Sequence, residues 1–192
     1  MSSFGLAVIA DTATASDAAG MVENVHRAAA AAGVSAGEVL VEPVRRVGDW
    51  WRVCAYLPSA SSGATDLFTG VRTARVAAAD DFDEHGCAWT TWRITDSVPE
   101  LVYRKFLPPP GTLPQECDDA ADDRADRPAT LAMAQLWDAN PGRVIAVERR
   151  FEEMSDNRGE AGTPFLPWIT ALGLWWPGDR YVPEELRDPV DS

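Results

Sequence analysis

The chain has 192 residues, 30 of them acidic and 17 basic, which gives a formal net charge of −13. That charge argues against a nucleic-acid surface, which needs clustered cations to release counterions, and it favours a basic partner. Hydrophobic residues at 46% suit a globular chain, and no apolar run is long enough to span a membrane.

In chain order, "FGLAVIA" (4–10) is an apolar run fit for a buried strand. The N-terminus has no basic segment ahead of this run, so a signal peptide is not expected and the cytoplasm is the expected location. "SDAAGMVENVHRAAAAAG" (16–33) predicts a helix with Ser16 as N-cap and Gly33 as its stop. "GEVLVEPV" (37–44) and "GDWWRVCAYL" (48–57) read as a hairpin joined by "RRV". The stretch 65–85 predicts a second helix, because Leu67, Phe68, Val71, Ala74, Ala78 and Phe82 recur at helical spacing before Gly86. "CAWTTWRIT" (87–95) and "ELVYRKFL" (100–107) form a further hairpin across "DSVP".

To Thr95 the order is β-α-β-β-α-β, which is ferredoxin-like: an antiparallel sheet with helices on one face. The fold class is therefore α+β, in a single domain over 1–192. The segment at about 108–127 is an acidic, proline-rich insert. A helix follows in "PATLAMAQLWDANPG", with Pro128 near its first turn and Gly142 past its end, then a strand in "RVIAVERRF" (143–151). The Trp- and Pro-rich tail from about 152 carries Phe165, Leu166, Trp168, Trp175 and Trp176, which predict that it packs down.

Strand parity separates the two adjacent tryptophans, since successive side chains point to opposite faces. Trp51, Val53, Ala55 and Leu57 make an apolar row, whereas Trp50, Arg52, Cys54 and Tyr56 make a mixed one. On 87–95, Ala88, Thr90, Trp92 and Ile94 face in, leaving Trp89 and Arg93 opposite. This Trp- and Arg-bearing face is either covered by the C-terminal tail or left as a protein-binding surface. Base stacking is the least favoured use of it, given the charge. The candidate partner-binding residues are Trp50, Arg52, Trp89 and Arg93, with Asp118, Asp119, Asp122 and Asp123 of the insert steering a basic partner.

No motif fixes a reaction. "DDFDEHGC" (80–87) reads as a solvated helix end whose carboxylates and His85 spread around the axis, so no metal site is expected there. The three cysteines, Cys54, Cys87 and Cys117, lack paired spacing and read as free thiols. No phosphate-binding glycine loop and no nucleophile elbow occurs, and no catalytic residue, cofactor or metal is assigned.

A small, acidic, Trp-rich α+β chain without catalytic motifs resembles the immunity proteins that neutralise secreted bacterial toxins. The pattern rests on "GDWWRVCAYL", "CAWTTWR" and "ECDDAADDRADR"; one lysine among the cations, with alanine runs, resembles actinobacterial examples, including those against NAD-hydrolysing toxins. The resemblance implies a non-enzymatic antitoxin with a protein partner, neither nucleic acid nor membrane, and it carries over no contact residue. The alternative is a small enzyme or ligand-binding domain whose pocket no motif advertises.

Overall fold

In a computed structural model of the chain, which describes residues 4–58, 67–82, 86–109, 112, 123–154 and 165–178, the first apolar run is strand β1 (Phe4–Thr12). The other strands are β2 (Leu40–Val41), β3 (Arg45–Val47), β4 (Trp50–Pro58), β5 (Thr73–Phe82), β6 (Cys87–Thr95) and β7 (Val98–Leu107). They form one seven-stranded antiparallel sheet in the order β2-β4-β1-β5-β6-β7, with β3 also on β4. The α+β class and the antiparallel sheet agree with the sequence reading.

Helix α1 (Ala15–Ala31) covers one face. Ala18, Met21, Val25 and Ala29, spaced as one helical stripe, pack on Leu6, Val8 and Ala10 of β1, Val53 and Ala55 of β4, and Val76 and Ala78 of β5. Its N-cap is Thr14, not Ser16: the Thr14 hydroxyl oxygen accepts the Asp17 N–H, and the hydroxyl donates back to the Asp17 carboxylate at 2.6 Å. The chain leaves the helix through Gly33 at φ 75°, as expected of a C-terminal stop. Buried Asn24 donates to the carbonyls of Leu67 and Thr69 at 2.8 and 2.7 Å, tying the helix to the short turn that precedes β5.

The opposite face is covered too. Helices α2 (Arg127–Leu136), α3 (Pro141–Met154) and α4 (Leu166–Ala171) lie on Ala7, Ile9, Cys54, Ala77, Ala79 and Trp89. The second helix expected over 65–85 is instead strand β5, so the ferredoxin-like order and the one-sided helical layer do not hold. Alanine explains the misreading: Ala77 and Ala79 face one layer and Ala74 and Ala78 the other. A strand buried on both faces keeps no polar side, so short apolar runs do not distinguish it from a helix.

The strand expected over 143–151 is likewise helix α3. Asn140 caps it by accepting from the backbone N–H groups of Gly142 and Arg143 at 2.9 and 3.3 Å, and Pro141 opens its first turn. Gly142 thus starts this helix; α2 has already ended, with Trp137 as its C-cap. The "RRV" connection is itself β3. Val47 pairs with Trp50, so the tight turn is Gly48–Asp49, with Gly48 at φ 59°. No helix among the described residues is long and apolar enough to cross a membrane.

Candidate functional site

One row of residues runs across the sheet on the α2–α4 face. Arg45 opposes Arg52, Arg52 opposes Asp11, Asp11 opposes Arg75, Arg75 opposes Arg93, and Arg93 opposes Glu100. Directly opposed residues share a face, so β3, β4, β1, β5, β6 and β7 each place one charge in this line. Its centre is Asp11, with no exposed surface.

Asp11 binds two arginines at once. Arg52 donates through Nε at 2.6 Å and Nη2 at 2.7 Å, a bidentate pair, and Arg75 donates through Nε at 3.0 Å. Each guanidinium then reaches into the helical layer. Arg52 Nη1 donates to the Gly173 carbonyl at 3.2 Å, and Arg75 Nη1 donates to the Leu136 carbonyl and to Asp138 Oδ2, both at 2.7 Å. Tryptophans supply the remaining surroundings: Arg52 lies over Trp137 and Trp175 at 5.9 and 4.9 Å, Arg75 over Trp50 and Trp137 at 4.7 and 5.0 Å. Buried cations are tolerable only when paired and hydrogen-bonded, and here carboxylate, carbonyls and ring faces do so together.

The row surfaces at one rim. The Asp138 side chain is 79% exposed although Arg75 fixes one of its oxygens, and its backbone holds φ 55°. Trp50 is half-buried with its ring on Arg75, and Asp49 beside it is exposed. Arg93 is exposed and paired with Glu100 at 3.0 Å. The rim is therefore an aromatic side chain and a carboxylate, both positioned from below by one buried arginine.

The sequence candidates separate accordingly. Trp50 and Arg93 lie at this rim. Arg52 and Trp89 do not reach the surface, with exposures of 4% and 1%. Trp89 lies against Trp168 at 6.5 Å and Phe165 at 6.0 Å between ring centroids, so the tail covers it. Of the two uses expected for that face, cover by the tail is the one seen at Trp89. Asp118, Asp119 and Asp122 lie outside the described residues. Asp123 is not a mobile steering charge: its carboxylate accepts the Phe106 N–H at 2.7 Å and sits 3.7 Å from Arg104. Arg124 and Arg104 exchange backbone hydrogen bonds, so the end of the insert is pinned to the edge of β7.

The helix-end reading of "DDFDEHGC" is also corrected, since β5 ends and β6 begins within it. Residues 83–85, His85 among them, lie outside the described residues; among the described ones no group of three potential ligands could hold a metal. Asp80 is half-buried on the α1 side, its enclosed Oδ1 without a hydrogen-bond partner among the described residues. Burial pushes its carboxyl up to about 7, against the opposing pull of Arg104. Cys54 and Cys87 are buried; desolvation, then Glu42, pushes the Cys54 thiol up, which disfavours the reactive thiolate. Tyr103, without exposed surface, donates its hydroxyl to Glu148 on α3, and its own acidity is lowered by burial and by that carboxylate.

Sequence reasoning missed Asp11, Arg75, Trp137 and Asp138. Asp11 and Arg75 were interpretable only with the register of three strands known. The α2–α3 loop "WDAN" carried a weak signal in Asp and Asn, which tolerate turn conformations. A second surface feature also escaped it. A groove of about 540 Å³ separates α3 from α4, lined by Arg143, Ala146, Val147, Leu166, Pro167, Thr170 and Ala171.

Compared with known proteins, the chain matches no family model, no curated protein and no solved structure.

Proposed function

We propose that the protein is a non-enzymatic, cytoplasmic binding protein of the immunity type, which occludes the functional site of a cognate, basic, secreted toxin. The observation that carries this reading is the rim, where Asp138 stands exposed beside half-buried Trp50, both held by Arg75. A half-buried tryptophan next to a fixed carboxylate suits an arginine or lysine of a partner, which can stack on the ring and pair with the free oxygen. Fixing both groups in advance lowers the entropy cost of binding. The charge of −13 brings a basic partner to the surface before the rim engages it.

The buried groups support binding over catalysis. Asp11, Arg52 and Arg75 are committed to one another, Tyr103 to Glu148, and the Cys54 thiol is held in its neutral form. The test is co-expression with the product of a neighbouring gene that encodes a secreted toxin. The protein should restore growth and co-purify with the toxin as a salt-sensitive complex. Failure to protect against, or to bind, any toxin encoded beside it would contradict the proposal.

A further inference from the structure

We propose that the groove between α3 and α4 binds a small amphiphile, an alkyl chain ending in a single carboxylate, with Arg143 taking the carboxylate. The inference goes beyond the immunity reading and does not rest on it. At about 540 Å³ the groove is within the range of small-molecule sites, which are mostly apolar with few polar groups. Ala146, Val147, Leu166, Pro167 and Ala171 supply the apolar lining, and Leu166 is 41% exposed. Arg143 stands at the end nearest the start of α3, exposed and without an ion-pair partner among the described residues.

The charge at that position is the specific observation. In a chain with 30 acidic and 17 basic residues, Arg52 and Arg75 pair with Asp11 and Arg93 pairs with Glu100, whereas Arg143 on α3 keeps its charge free of an ion pair among the described residues. An unpaired arginine beside apolar side chains complements a ligand with an anionic head and an apolar tail. A cationic amphiphile would meet the same tail surface and a repelling head position. The overall charge of −13 works the other way and favours cations over the surface as a whole. A preference for the anion must therefore come from the groove itself.

The probes are decanoate, decyltrimethylammonium and acetate, titrated into isotopically labelled protein and followed by amide chemical shifts. Decanoate should saturate with shifts centred on Ala146, Thr170 and Ala171, and bind about three-fold or more tighter than decyltrimethylammonium, the scale of an exposed ion pair. Acetate should not bind, because the tail supplies the contact area. Arg143→Glu should reverse the order of the two amphiphiles. Ala146→Trp, at an exposed position, should weaken both by about ten-fold or more by filling the groove. Equal binding of the two amphiphiles, shifts centred elsewhere, or decanoate binding indifferent to Ala146→Trp would overturn the proposal. None of these readouts depends on a toxin, so the two proposals fail separately.

Discussion

Trp89 and Trp168 lie nearly parallel, their planes 13° apart and their ring centroids at 6.5 Å. One ring belongs to the sheet and the other to the C-terminal segment, so this stack fastens the last described part of the chain to the centre of the fold. Trp168 also meets Tyr103 at 6.4 Å, and Tyr103 in turn holds Glu148 of α3.

Trp89→Ala should therefore act on stability. Truncating a fully buried tryptophan costs roughly 3–5 kcal/mol through lost contacts and the cavity left behind. The Trp89 Nε1 is buried without a hydrogen-bond partner among the described residues, so Trp89→Phe removes an unsatisfied donor and should cost clearly less. Urea unfolding of both variants checks the order. Equal loss for Phe and Ala would mean that ring packing contributes little at this position.

The Arg52–Asp11–Arg75 centre predicts a coupled pair of substitutions. Asp11→Asn leaves two buried guanidinium groups facing one neutral side chain, which should cost about 3–5 kcal/mol, as when one member of a buried ion pair is removed. Adding Arg52→Met removes one stranded charge, so the double variant should lose clearly less than the sum of the single losses. Additive losses in chemical denaturation would show that the two residues do not act as one unit.

How far the sequence revealed this centre depends on what kind of information it required. Parity along one strand needs only the period of two, and it correctly sent Trp51 towards the α1 side and Trp50 to the other. Pairing Asp11 with Arg52 and Arg75 needs the register between strands 41 and 64 residues apart, which no local pattern contains. The same limit explains β5 and α3. Ala74 to Ala79 satisfy a helical stripe and a doubly buried strand equally well, and tertiary pairing with β1 and β6 decided between them. In "RVIAVERRF" the alternation of Ile145 and Val147 suggested a strand, while the Asn140 cap and Pro141 set the helix. Helix α2 was legible because its signals are local: Asp126 accepts from Ala129 N–H and Pro128 follows it.

Asp80 gives the protein a predictable pH dependence. Its carboxyl, normally near 3.8, is raised to about 7 by burial. Between those values the folded protein keeps a proton that the unfolded chain has released. This contribution to stability is full below about pH 4 and is lost as pH rises through 7. Asp80→Asn cannot ionise, so its stability relative to the parent chain should grow from pH 5 to pH 8. The gap should reach several degrees in Tm, at about 2–4 °C per kcal/mol for a chain of this size. A difference that stays constant across that range would contradict the assignment.

The most direct test of the proposed binding rim compares Trp50→Ala with Trp89→Ala in one experiment, measuring thermal unfolding beside binding kinetics with the proposed toxin partner. Trp50→Ala should dissociate faster, with a loss on the order of 2 kcal/mol or more in affinity and only a small fall in Tm. Trp89→Ala should lower Tm strongly and leave the affinity of its folded fraction unchanged. The reverse outcome, with Trp50→Ala neutral for dissociation and Trp89→Ala impairing binding at full stability, would contradict the account.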